Sequence, residues 1–287
     1  MMFIHHGPGK TIVKTAVWLS WPIIIAAKRL SNVAVFKWLI HPFFMRPYNE
    51  VTSIPINITL PKPDSIALPR RIIERLVADV DEKFIIEECI CRSHNKVDFP
   101  PQNIGCMALG PAARRIHPSH GRMVSTKEAI SHVRRAADAG LIANIAHVWI
   151  DPIAFGTRFR DLMFICFCDD KNCIYRTYMK NRGPTLDRAY RRLPGITLSV
   201  EKEKCEGCGQ CSDNCFLANI IIDNGKAVIG ESCAGCGRCV DLCPHGAITL
   251  LIEDEETLYL ALIEQIKDVS KLPLRGSDNS SESVIPD

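Results

Sequence analysis

The chain has 287 residues, 35 Lys and Arg against 32 Asp and Glu, a formal charge of +3 and 47 % hydrophobic residues. That length sets an expectation of one to two domains plus small modules, and so small a charge gives no reason to expect nucleic acid as a partner. The fourteen cysteines constrain the class most. Disulfides suit short secreted chains, whereas this chain is long, has no convincing export signal and groups its thiols in C-x-x-C spacing, which favours metal ligation in a reducing, cytoplasmic compartment.

Residues 1–49 form an apolar, basic segment expected to be helical. It carries Lys10, Lys14, Lys28, Arg29, Lys37 and Arg46, no acid before Glu50, and Trp18, Trp21 and Trp38. Its longest uncharged stretch, TAVWLSWPIIIAA, has thirteen residues and contains Pro22. A single span needs about 20 residues, so no full transmembrane helix is expected. A signal peptide would fit the apolar length, but the cleavage site is weak. Two readings stay open: helices lying on the cytoplasmic face of a membrane, in its interface, or helices docked on the chain's own core or on a membrane or other subunit.

Residues 50–195 read as a mixed α/β, cysteine-rich domain. SIALPRRIIERLVADVDEKF places Ile72, Ile73, Leu76, Val77 and Val80 on one helical face. STKEAISHVRRAADAG is a second helix, with Ser125 and Glu128 as a capping box and Gly140 at its end. ANIAHVWI and DLMFICFC read as strands, and alternation sends Cys166 and Cys168 to the same side. Six thiols fall in two groups, Cys89, Cys91 and Cys106, then Cys166, Cys168 and Cys173. Two loops meeting at one site would make them a third metal centre, an iron–sulfur cluster first and a zinc ion next. The plainer alternative is free cysteine buried as a small apolar residue.

Residues 196–252 contain a repeat. Cys205, Cys208, Cys211 and Cys215 recur 28 residues later as Cys233, Cys236, Cys239 and Cys243, in the spacing C-x2-C-x2-C-x3-C. In that run three cysteines serve one cluster and the fourth serves the other. The expected ligand sets are therefore Cys205, Cys208, Cys211 and Cys243 for one [4Fe–4S] cluster, and Cys233, Cys236, Cys239 and Cys215 for the second. Zinc sites of four cysteines use separated pairs rather than a duplicated triplet plus one. Asn224-Gly225 marks a two-residue hairpin turn, and ITLSV and AITLL can pair as outer strands. Residues 253–272 read as a short amphipathic helix, and 273–287 as a disordered tail.

The repeat resembles the bacterial-type two-[4Fe–4S] ferredoxins, with Phe216 standing where proline usually follows the first motif. Over about residues 50–250, the run CICR, GCMALGPAARRI, GRMVSTKEAISHVRRAADAGLI and ICFCDDKNC resembles a poorly characterised group of anaerobe 4Fe-4S binding proteins. That group often has a denser cysteine run at the second site, where this chain has Asp169, Lys171 and Asn172, and another cysteine between Cys91 and Cys106. The resemblance implies an α+β chain and iron–sulfur electron transfer in anaerobic metabolism. It also implies a redox partner protein or catalytic subunit. Two rivals stand beside it: an oxidoreductase using the upstream centre as active site, and a redox sensor. The C-x3-C-x-x-C triplet of radical S-adenosylmethionine enzymes is absent, and GPGK lacks the full dinucleotide fingerprint.

Overall fold

The structure, a computed structural model, describes residues 5–44, 48–57, 60–61, 66–67, 69–177, 179 and 190–275. Helix α1 runs unbroken from Lys10 to Leu30, with Pro22 inside it. Its 21 residues make it long and apolar enough to cross a membrane by length and composition, which corrects the expectation from the thirteen-residue stretch. Two things differ from that expectation. The flanking lysines are helical too. And Pro22 removes only one N–H from the helix, the one that would reach the Trp18 carbonyl, so the helix continues through it. One face of α1 buries Val13, Trp21 and Lys28. The other leaves Ile12, Trp18, Leu19 and Ile23 exposed. Helix α2 (Ala34–Phe44) follows and exposes Val35, Trp38 and Leu39.

A seven-stranded sheet organises the middle of the chain. Its strands are β1 (Asn49–Ile54), β2 (Lys83–Ile86), β3 (Met107–Leu109), β4 (Gly121–Met123), β5 (Ile142–Val148), β6 (Met163–Cys168) and β7 (Tyr190–Arg191). The spatial order is β4-β2-β3-β6-β5-β1-β7. Neighbours are antiparallel except β7, which runs parallel to β1. Alternation along β6 divides the interior: Met163, Ile165 and Phe167 face one apolar core, while Phe164, Cys166 and Cys168 face the other.

The first core is covered by α3 (Pro69–Asp79) and α5 (Thr126–Asp138). The expected apolar face of α3 is buried through Ile72, Ile73, Leu76 and Val77, and Val80 is buried just beyond its end. Helix α5 has the full capping box between Ser125 and Glu128, so its first N–H groups are satisfied locally. The second core is closed by α4 (Ile90–His94), α6 (Ile150–Phe155) and the buried face of α1.

Strands β8 (Ile196–Val200) and β11 (Ile248–Ile252) pair as the outer strands of the repeat, and β9 (Ile220–Asp223) pairs with β10 (Lys226–Ile229). Asn224 and Gly225 take φ of 48° and 72°, the conformation that a two-residue hairpin turn requires. Ile196, Leu250 and Ile252 join the same core as α3 and α5, and so do Leu258, Leu262 and Ile266 of α9 (Glu255–Val269). The start of the expected disordered tail is ordered instead. Leu274 is buried and bridges Val80, and the Arg275 N–H donates to the Asp79 carbonyl at 2.8 Å. Leu272 and Leu274 supply the apolar contacts that hold this end. Residues 276–287 lie outside the described residues.

Candidate metal centres

The two motifs of the repeat fold alike. Helix α7 (Gln210–Asn214) carries Cys211 and is followed by Cys215; α8 (Arg238–Leu242) carries Cys239 and is followed by Cys243. Each helix is entered through a glycine in the left-handed region, Gly209 at φ 81° and Gly237 at φ 72°, where a side chain would be strained. Cys205, Cys208 and Cys211 of the first motif line one cavity together with Cys243 of the second. The last thiol of the second motif therefore crosses to the first triplet. Cys215 and Cys236 pack against the same apolar core.

Backbone N–H groups point at the sulfurs, one pair of them in matching places. Asn219 donates to Cys215 Sγ at 3.4 Å and Ala247 to Cys243 Sγ at 3.3 Å, each four residues after its cysteine. Ala227 donates to Cys205 Sγ at 3.3 Å and Gly235 to Cys233 Sγ at 3.5 Å. The Ala227 and Gly207 amides lower the Cys205 thiol, whereas burial raises Cys211, Cys215, Cys233 and Cys239. Burying thiols beside one another while aiming N–H dipoles at them suits a bound cationic iron–sulfur core, which would draw off the protons and use the donors.

The six upstream cysteines also converge. Cys91 interacts electrostatically with Cys173 and Cys89, and Cys106 with Cys166, and these neighbours together with burial raise the Cys91 and Cys166 thiols. Cys173 Sγ lies 2.8 Å from Cys168 Sγ. The turn that returns Cys173 to β6 is held by Asp169, whose Oδ1 accepts from the Lys171 and Asn172 amides at 2.8 and 2.7 Å. These are three of the positions where the resembling group carries cysteine, and here they build a loop. Cys91, Cys106, Cys166 and Cys173 line a cavity of about 100 Å³, roofed by Val13, Val17, Trp21 and Ile24 of α1. All fourteen cysteines are free thiols.

Charged groups that spacing could not reveal surround this nest. Lys28 Nζ is buried and donates to the carbonyls of Thr177, at 2.9 Å, and Ile174. Burial lowers its pKa to about 8, with Cys173 and Cys91 opposing. Arg92, 1 % exposed, donates to the carbonyls of Phe167, at 3.0 Å, and Ile104, and lies 3.8 Å from Asp169. Arg176, also 1 % exposed, pairs with Asp170, which in turn holds Arg238 of α8. Asp151 lines the cavity with Tyr175, whose hydroxyl donates to both its oxygens at 3.1 and 3.2 Å. Burial pushes that carboxyl up to about 7.

A family model described as a 4Fe-4S binding domain matches residues 227–249, the segment that holds Cys233, Cys236, Cys239 and Cys243. No curated protein matches the chain. The chain thus carries an iron–sulfur, ferredoxin-like module within an α+β architecture.

Proposed function

We propose that this protein is an electron carrier, or the electron-transfer subunit of an oxidoreductase, that passes single electrons through two [4Fe–4S] clusters. Cys205, Cys208, Cys211 and Cys243 would hold one cluster, and Cys233, Cys236, Cys239 and Cys215 the other. The observation that carries this reading is the crossing of the motifs: Cys243 joins the cavity of the first triplet, as the two-cluster signature requires. When bound, such clusters accept and release one electron at a time.

The chain's own residues hold and tune them. The amides of Asn219, Gly235, Ala227 and Ala247 stabilise negative charge on the sulfurs, which favours the reduced form. Cys208 is exposed, so the first ligand set reaches the surface, where a redox partner protein can dock. The second set lies against the upstream domain.

The exposed apolar face of α1 and α2, rich in tryptophan, supports peripheral attachment at the cytoplasmic face of a membrane, with the opposite face of α1 packed on the protein. Two experiments test the reading. Anaerobic protein should contain at least about 8 iron and 8 sulfide per chain, by the stoichiometry of the signature. Co-sedimentation should show binding to anionic lipid vesicles.

A further inference from the structure

Resting on that iron–sulfur reading, we infer that the upstream thiols form a third, separate iron–sulfur site whose ligands are Cys91, Cys106, Cys166 and Cys173. These four come from α4, the approach to β3, strand β6 and the loop after it, yet they line one cavity. Cysteine used as a small core residue has no reason to gather from four segments at a single wall. Cys89 and Cys168 are buried outside the cavity lining, with Cys168 Sγ 2.8 Å from Cys173 Sγ.

The balance of buried charge is a second, independent observation. Lys28, Arg92 and Arg176 are buried around this site, and Arg238 reaches it through Asp170. Among the described residues Arg92 faces Asp169 at 3.8 Å, Arg176 pairs with Asp170, Arg238 is shared between Asp170 and Asp241, the cavity carboxyl of Asp151 is held by the Tyr175 hydroxyl, and Lys28 donates only to carbonyls. Among the described residues Arg92 Nε and Arg176 Nη1 have no hydrogen-bond acceptor, and Asp169 Oδ2 has no donor. A buried ammonium held only by carbonyls and buried guanidinium N–H groups left over are costly without a further anion. Four thiolates on a cluster supply that anion, and the α1 roof keeps the site dry.

A single metal ion fits less well. Among the described residues no three His, Cys, Asp or Glu side chains converge as they do on one ion. The same holds for the thiols of the ferredoxin-like module, because cluster ligands bind different irons and need not aim at one point.

The test uses the full chain purified without oxygen, with iron, sulfide and zinc counted per chain and EPR of the reduced protein. Cys166→Ala and Cys106→Ala should each remove about two iron for a [2Fe–2S] site, or about four for a [4Fe–4S] site, together with one EPR component. The signals of the ferredoxin-like module should persist, which also reports that the variants fold. Cys91→Ser, at a half-buried position, is the milder variant and should weaken the same component. Unchanged iron and spectra in all three variants would overturn the proposal, and so would about one zinc per chain that these substitutions release. Cys243→Ser probes the two-cluster reading separately: if it leaves iron and EPR untouched, that reading fails, whatever the upstream variants do.

Discussion

Arg176 Nη2 lies 3.6 Å from Cys236 Sγ, while its guanidinium stacks 4.0 Å over the Phe216 ring. One buried side chain, three residues after Cys173, thus touches a thiol of the ferredoxin-like module. The same apolar core holds Cys166, Cys168 and Cys173 together with Cys215 and Cys236. These upstream cysteines and Cys236 thus share one apolar core, with Arg176 in contact with Cys236.

A positive charge beside a cluster sulfur favours the reduced, more negative state. Arg176→Gln should therefore lower the reduction potential of the centre held through Cys236 and leave the centre of Cys205 nearly unchanged. Losing a buried ion-pair partner also costs about 3–5 kcal/mol. Arg176→Lys should restore part of the potential, because it keeps the charge. A redox titration followed by EPR checks both variants.

Phe216 is 5 % exposed, packs edge-on against Tyr190 with ring centroids 5.3 Å apart, and carries the Arg176 guanidinium. Where a ferredoxin usually has proline, this chain has a docking residue for the neighbouring domain. Phe216→Ala should destabilise the protein by about 3–5 kcal/mol, read as a shift in the urea midpoint.

Glu88 pins α1 to the sheet domain. It pairs with Lys10 at 2.5 Å and with Lys14 at 2.6 Å. Burial alone would raise its pKa, but hydrogen bonds from Lys10, Lys14 and Ser93 bring it down to about 2. A carboxylate depressed on folding stabilises the protein above its unfolded pKa, and that stabilisation fades as pH falls from about 4.5 toward about 2. Glu88→Gln should cost about 1 kcal/mol at pH 7. Its gap to the parent should shrink below pH 4.5 in urea melts. Trp21, stacked on His94 at 4.2 Å between centroids, offers a fluorescence readout of α1 loosening.

Trp18 and Trp38 are 65 % and 84 % exposed, on helices with no carboxylate. If this face rests on lipid, the double variant Trp18→Ser, Trp38→Ser should lose most binding to anionic vesicles while its iron content stays the same. Raising salt should weaken the parent's binding only in part, since burial of apolar surface contributes beside charge.

Much of the ferredoxin-like module is readable from spacing because its geometry is local: a triplet of cysteines on a turn, a glycine before each short helix, Asn224-Gly225 at the hairpin. The alternation of Cys166 and Cys168 in β6 and the capping box of Ser125 and Glu128 are local too, and both are present. What spacing does not carry is tertiary. Lys28 meets the Ile174 and Thr177 carbonyls across 146 and 149 residues, and Cys106 meets Cys166 only because β3 pairs with β6. The thirteen-residue apolar stretch reads as too short to span, and only the fold shows the helix running on through its flanking lysines from Lys10 to Leu30. Leu274 reads as tail until Val80 is seen to bridge it.

The central claim is that the two motifs exchange their fourth cysteines around two clusters. It is tested most directly by counting iron and recording the EPR spectrum of reduced Cys243→Ser protein beside the parent. The claim predicts that the parent shows two interacting [4Fe–4S] signals. In the variant, the cluster of Cys205, Cys208 and Cys211 should be lost or converted, with up to about four fewer iron, leaving the signal of the Cys233 set uncoupled. A variant with the parent's iron, sulfide and coupled spectrum would contradict it.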